Sequence, residues 1–157
     1  MSQICVVLQN PSPTGLRSIS RRNVEIAASV LGHDSVELVN LLETESRNSR
    51  ELEALRPSSG AWVSSRPALE QALQRSDEIL FGWGQTRLGR GLEPERLDQI
   101  LWVRERAREL GHSHAWSVGD TARHPSRWRQ YLGPVRGLYT GETFQERLHE
   151  ALLSRPV

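Results

Sequence analysis

The sequence predicts a three-layer α/β/α fold, in which a central, mainly parallel four-stranded sheet lies between two layers of helices. Four short apolar runs alternate with segments whose apolar residues recur at helical spacing. Glycine, proline or polar residues follow each apolar run, as they do where a strand ends. A chain of 157 residues can bury one core, so we expect a single domain over residues 1–157.

The first half of the chain predicts two strands and a helix between them. Residues 4–8 (ICVVL) are typical of a buried strand. Ser20 is then the expected N-cap of a helix that stops at Gly32. Residues 36–42 (VELVNLL) predict the second strand, and a brief helix is expected near residues 51–55.

The second half continues the alternation of strands and helices. Proline suits the first turn of a helix, which makes Pro67 and Pro94 helix starts, and Gly111 is the expected end of the second of these helices. The further expected elements are a loop at 57–65, strands at 78–83 and 114–118, a short strand at 135–139 and a helix near 144–153.

Composition excludes several classes of chemistry. All 20 basic residues are arginine, so no lysine can form a Schiff base. Cys5 is the only cysteine, which excludes disulfides and cysteine-rich metal sites within one chain. No apolar stretch approaches the length of a membrane span. We expect a cytoplasmic monomer with no cofactor, no metal and no membrane association.

Two loops carry the residues of greatest chemical interest. Ligands of parallel α/β sheets bind beyond the carboxyl ends of the strands. The loop with Asn10 and Ser12 follows the first strand, and the loop with His124 follows the fourth, so both are expected at one edge. The alternatives are an ordinary strand-to-helix turn and a surface histidine. Ser12, His124 and Asp120 also suggest a serine hydrolase, but the GxSxG motif of the α/β-hydrolases is missing.

Four segments, in order, resemble the motifs of the uracil-DNA glycosylase superfamily. LQNPS at residues 8–12 is similar to the GQDPY and GINPG motifs that follow the first strand there, and ARHPSRW at 122–128 to the AHPSPL motif. ELVNLLET at 37–44 resembles the LLLN segment, and ILFGWG at 79–84 the strand that leads to WG. The chain also resembles bacterial proteins with LNPS and HP motifs. The resemblance implies a uracil-DNA glycosylase-like fold.

The resemblance also implies roles for individual residues. Asn10 would orient the attacking water, and His124 would hydrogen-bond the departing base, so these two are the expected catalytic residues. Asn40 would read the polar edge of a flipped base, and Trp128 would be the wedge that fills the gap left in the DNA. The remaining substrate-binding residues would be Ser12 and Ser126 on backbone phosphates, Arg127, and Trp83, which would lie in the sheet core or the pocket wall.

The function implied is that of a monofunctional DNA glycosylase that removes a damaged, mismatched or modified base. Residues 16–22 contain no aromatic residue to stack on uracil, which favours a wider pocket. A hypermodified phage base, and with it antiviral defence, is therefore one expectation. Two alternatives stay open. A hydrolase of free nucleosides or nucleotides is favoured by the net charge of +1, and an inactive DNA-binding module by Asn10 where an Asp could stand.

Overall fold

Five strands form one mixed sheet in a computed structural model that describes residues 1–14, 18–89 and 91–157. The strands are β1 (Gln3–Leu8), β2 (Ser35–Asn40), β3 (Glu78–Phe81), β4 (His114–Val118) and β5 (Leu152–Pro156). The described helices are α1 (Ile19–Val30), α2 (Ser49–Leu55), α3 (Ser59–Ser64), α4 (Arg66–Arg75), α5 (Leu92–Glu109), α6 (Trp128–Tyr131) and α7 (Phe144–Ala151). Short 3-10 helices cover Pro125–Arg127 and Pro134–Arg136.

The sheet order is β2-β1-β3-β4-β5. β1 pairs in parallel with β2 and β3, and β3 pairs in parallel with β4. β5 runs antiparallel to β4, with Trp116 opposite Ser154. The expectation of four strands was therefore wrong, and the sheet is mixed because its fifth strand, at the edge, returns directly from α7.

Helices cover both faces of the sheet. Side chains of a strand point alternately to its two faces. Cys5 and Val7 accordingly join the core beneath α2, α3, α4 and α5, while Ile4 and Val6 join the core beneath α1, α6 and α7. Every residue of β1 from Ile4 to Leu8 is buried, which explains why its sequence is a continuous apolar run.

The ends of several helices differ from the sequence expectations. Ser18 caps α1, its side chain accepting from the backbone of Arg21, so Ser20 lies inside the helix. The expected loop at residues 57–65 contains α3, which Ser58 caps and whose Trp62 is 1% exposed. The expected strand at 135–139 is absent from the described structure, since a 3-10 helix follows Gly133 there.

Four loops follow β1 to β4 at the same edge of the sheet, and we number them by strand. Among the described residues, loop 1 covers 9–14, loop 2 covers 41–48, loop 3 covers 82–89 and 91, and loop 4 covers 119–124. Loop 2 is joined to loop 1 by the backbone bond from Ser46 N to Pro11 O, and loop 3 to loop 4 by that from Gly84 N to Ala122 O. The four loops therefore form two hydrogen-bonded pairs at this edge.

Within the described part of the chain, no helix combines the length and the apolar character that crossing a bilayer requires.

Candidate functional site

A cavity of about 430 Å³ opens between the four loops. Its volume lies in the range of about 300–1,000 Å³ that is usual for small-molecule sites. Amide, hydroxyl and arginine side chains line it, with His124 on one wall and Trp83 beside it. Arg47, Arg123 and Arg127 are its three arginines, and no carboxylate appears among the lining residues that the structure describes. The cavity thus favours a ligand that carries negative charge.

The side-chain amide of Asn10 has a defined orientation. Its Nδ2 donates to the carbonyl of Thr44 at 2.9 Å and to the hydroxyl of Ser46 at 2.8 Å. A carbonyl can only accept, so nitrogen and oxygen cannot be exchanged in this amide. Both amide hydrogens are used, and Asn10 Oδ1 has no hydrogen-bond donor among the described residues. Asn10 can therefore offer its oxygen to a ligand or a water in the cavity.

The imidazole of His124 has a defined tautomer. Its Nδ1 lies 3.2 Å from the backbone N–H of Ser126 and accepts from it, and the Ser126 hydroxyl lies 2.8 Å from the same atom. The neutral ring must then carry its proton on Nε2. Burial, reinforced by the nearby Arg127 cation, lowers the pKa of His124 to about 4. At neutral pH the ring is an uncharged donor through Nε2–H.

Asn23 supports the histidine loop from beneath. It is fully buried in α1, and its Nδ2 donates to the carbonyl of Pro125 at 2.8 Å. Its Oδ1 is buried without a partner in the described part of the chain. The sequence reasoning missed this residue. The available signal was an asparagine four positions before Ala27, on the apolar stripe of the helix.

A buried arginine joins loop 1 to loop 3. Arg96, 5% exposed, donates from Nε to Gln9 at 3.0 Å and from Nη2 to the carbonyl of Gly84 at 2.6 Å. Its Nη1 pairs with Glu93 at 3.1 Å, and the second oxygen of Glu93 accepts from the backbone of Leu88. In the described part of the chain, no polar side-chain atom of Arg96 or Glu93 is buried without a partner, as burial of charge requires. Helical spacing placed Arg96 on α5 but gave no sign of its partners.

Loop 3 also contacts loop 4 and α2. Gln85 Nε2 donates to the hydroxyl of Thr121 at 2.7 Å, and the backbone N–H of Gly89 donates to Glu53 at 2.7 Å. Gly84 has a φ of +89°, and a Cβ there would lie 3.4 Å from that of His124. A glycine therefore suits this close approach of the two loops.

The structure brings together six of the eight site residues expected from the sequence. The cavity is lined by Asn10, Ser12, Trp83, His124, Ser126 and Arg127. The chemical roles expected for them stay predictions. The shared position follows from parallel strands, whose carboxyl ends meet at one edge of the sheet.

Two expected site residues lie elsewhere. Trp128 is 0% exposed in the core beside α1, and its Nε1 donates to the carbonyl of Arg123 at 2.9 Å. The wedge role was wrong for this conformation, because a buried indole cannot enter DNA. Asn40, at the end of β2, is not a lining residue of the cavity. It lies near Glu43. Burial raises the pKa of the Glu43 carboxyl, and a hydrogen bond with the Asn40 side chain offsets part of this increase.

Residues 1–14, 18–89 and 91–157 contain no group of three or more His, Cys, Asp or Glu side chains placed to hold a metal ion.

Fold and site define an α/β protein with a cationic cavity at the carboxyl ends of its parallel strands, and the lining residues that the structure describes include no carboxylate. The model of a family described as "Protein of unknown function (DUF1643)" matches residues 1–126, and the chain belongs to this family. The match covers loops 1 to 3 and all of loop 4 with His124, Pro125 and Ser126. No curated protein and no solved structure matches the chain.

Proposed function

We propose that this protein is a monofunctional DNA glycosylase with a uracil-DNA glycosylase-like fold, acting on a damaged, mismatched or modified base. One observation carries the proposal. The bond from Ser126 N–H to His124 Nδ1 sets a neutral imidazole in the cavity with Nε2–H as a donor. Such a group suits a leaving base on which negative charge develops.

The chemistry requires stabilisation of a leaving group more than a strong base. When the N-glycosidic bond breaks, its electron pair stays on the base and the sugar gains positive charge. His124 Nε2–H would hydrogen-bond the electron-rich base. A water oriented by Asn10 Oδ1 would then add to the sugar carbon and release its proton to solvent. No lining carboxylate is required for either step.

Cations and hydroxyls around the cavity support a nucleic-acid ligand. Arg47 and Arg127 are exposed lining residues, and Arg123 is half-buried beside them. Arginine forks match the geometry of phosphate oxygens. Ser12 adds a hydroxyl to the lining, whereas the hydroxyl of Ser126 donates to His124 Nδ1 at 2.8 Å. Affinity for DNA should therefore fall steeply with salt.

The absence of lysine favours the monofunctional form of the reaction. Strand cleavage at an abasic site through a lysine imine requires an amine side chain, and the chain has none. The expected product is an intact strand with an abasic site.

The test is a panel of DNAs with uracil, mismatched thymine, alkylated bases and hypermodified phage cytosines, followed by detection of abasic sites. We expect abasic sites from at least one substrate and far fewer with His124→Ala. His124→Gln, which keeps an N–H donor, should retain part of the activity. His149→Ala, an exposed position on α7, is the matched control. Release of no base from any DNA would contradict the proposal.

The second candidate is an inactive DNA-binding module. The observation in its favour is that no carboxylate lines the described cavity, so no ordinary general base is present. Such a module would bind the same DNAs and release nothing. A hydrolase of free nucleotides, favoured by the net charge of +1, would instead release base from monomers with little dependence on salt.

A further inference from the structure

Arg104, on α5, is a half-buried cation stacked on two aromatic rings. Its guanidinium carbon lies 5.1 Å from the ring centre of Phe81 and 5.7 Å from that of Trp83. The two rings lie 4.4 Å apart, centre to centre. Arg104 makes no ion pair with any residue that the structure describes, whereas Arg106, two residues further on, pairs with Glu70 and Glu109.

A second cavity, of about 250 Å³, lies beside this guanidinium. We call it the Arg104 cleft, and its polar walls are Arg104, Arg155, Ser117, Thr121 and Asp120. Arg155 Nη1 donates to the backbone carbonyl of Asp120 at 3.1 Å, which holds this second cation at the cleft. Arg155 has no ion pair in the described part of the chain either. Two arginines and two hydroxyls therefore surround one small space.

The electrostatics of the cleft favour an anion. Burial lowers the pKa of Arg104, and the nearby Arg108 cation lowers it further. A cation that is both desolvated and close to another cation gains more from a bound anion than a solvated one does. Asp120 is the one carboxylate among the described lining residues, and its negative charge offsets part of the positive charge of the two arginines.

The cleft adjoins the main cavity. The ring of Trp83 lines the main cavity and also lies under Arg104. Thr121 lines the cleft, and its hydroxyl accepts from Gln85, which lines the main cavity. The two cavities are therefore neighbours, with the Trp83 ring and the hydrogen-bonded pair of Gln85 and Thr121 between them.

We propose that the Arg104 cleft is a second anion site that binds a phosphate group between Arg104 and Arg155. The inference does not depend on base removal in the main cavity. The phosphate could belong to a polynucleotide whose neighbouring unit occupies the main cavity, or to a free phosphate compound. Both sources share the chemistry that paired guanidinium forks recognise.

The experiment is an NMR titration of the protein with inorganic phosphate. We expect saturable shifts of the Trp116 and Trp83 indole signals and of Arg104 Nε–H, since all three adjoin the cleft. Arg104→Met, which keeps an unbranched apolar chain over the rings, and Arg155→Gln should each weaken phosphate binding by about tenfold or more, as loss of a charge-assisted hydrogen bond would. Asp120→Asn should strengthen it.

The matched control is Arg106→Gln, which removes the same charge from the same helix outside the cleft. Arg155 is exposed, so Arg155→Gln should fold even if Arg104→Met does not. Absence of saturable shifts, or equal weakening by the control, would overturn the proposal.

A second measurement distinguishes the two sources of phosphate. The logarithm of the affinity for single-stranded DNA falls with the logarithm of salt concentration by roughly 0.7 per phosphate contact. A slope reduced by about that amount in Arg104→Met and Arg155→Gln supports a polynucleotide phosphate. An unchanged slope, with inorganic phosphate binding lost, supports a free phosphate compound. Neither result requires glycosylase activity, so the two proposals can fail separately.

Discussion

Asn23 Nδ2 lies 2.8 Å from the carbonyl oxygen of Pro125, across 102 residues of sequence. The bond joins the buried face of α1 to the loop that carries His124. The carbonyl belongs to Pro125, the residue after His124. Asn23 therefore acts on the position of the imidazole without contacting the cavity. Asn23 is a positioning residue in the proposed reaction.

Replacement of Asn23 by Ala should destabilise the fold and displace His124. The Pro125 carbonyl would keep the backbone N–H of Trp128 but lose its side-chain donor, and loss of one hydrogen bond costs about 0.5–1.5 kcal/mol. The rate of base release should fall as well. Adding His124→Ala to Asn23→Ala should then reduce this rate little further. Denaturant unfolding and the NMR shift of the His124 ring provide the readouts. Ser29→Ala, exposed on the same helix, is the control, and an unmoved His124 signal in Asn23→Ala would refute the positioning role.

Asn10→Asp should lower the stability of the fold and should not accelerate base release. The carbonyl of Thr44 accepts from Asn10 Nδ2, and a carboxylate would place two acceptors against each other. We expect a loss of stability of about 1–3 kcal/mol. Urea unfolding and the rate of base release measure both effects, with Asn10→Ala for comparison. A stable and faster Asn10→Asp protein would show that the amide donor is dispensable.

His124 should titrate with a midpoint near its lowered pKa of about 4. Unfolded histidine titrates at about 6.5. Below that pH the histidine of the unfolded chain binds a proton, while the ring of His124 in the native protein stays neutral down to its lower pKa. The contribution of this group to stability is complete above about pH 6.5 and is lost as the pH falls to about 4. Each pH unit between these values removes up to roughly 1.4 kcal/mol.

Two measurements check the behaviour of His124. NMR gives its titration midpoint, and urea unfolding at several pH values gives the stability. His124→Asn keeps an oxygen that can cap the Ser126 backbone N–H but does not titrate. Its stability should therefore depend less on pH between 4 and 6.5 than that of the natural protein. A native midpoint near 6.5 would contradict the lowered pKa.

Arg96→Met should be the most destabilising of these changes. It leaves the Glu93 carboxylate buried without a cation, which costs about 3–5 kcal/mol. It also removes the N–H groups that donate to the Gln9 side chain and to the Gly84 carbonyl. Adding Glu93→Gln should recover part of the loss. Arg21→Gln breaks an exposed i,i+4 pair on α1 and should cost about 0.3–0.5 kcal/mol. Equal losses for the two arginines would argue against the buried network.

Strands β1 to β4 could be predicted because their apolar runs are short and followed by loop residues. β5 could not, since its leucines continue the helical pattern of α7. α3 contains a single buried side chain, Trp62, which is too few to produce a periodicity. Local patterns predict elements with a long apolar face, and these two elements lack one.

The candidate site could be predicted where a residue follows a strand directly, as Asn10 follows β1. Residues that act across the chain, such as Asn23 and Arg96, could not, because their partners are 102 and 87 positions away. Trp128 was misplaced for a local reason. The 3-10 helix Pro125–Arg127 turns the chain, so the side chain of Trp128, which follows it, points into the core.

The hydrogen bonds between the loops bear on the kinetics of ligand binding. Asn10 joins loops 1 and 2, Glu53 joins α2 to loop 3, and Gly84 joins loops 3 and 4. A cavity closed in this way exists before the ligand arrives, and little freedom is lost on binding. Association should proceed at an ordinary rate of about 10⁵–10⁷ M⁻¹s⁻¹ for every ligand that fits. Good and poor ligands would then differ chiefly in how long they stay bound.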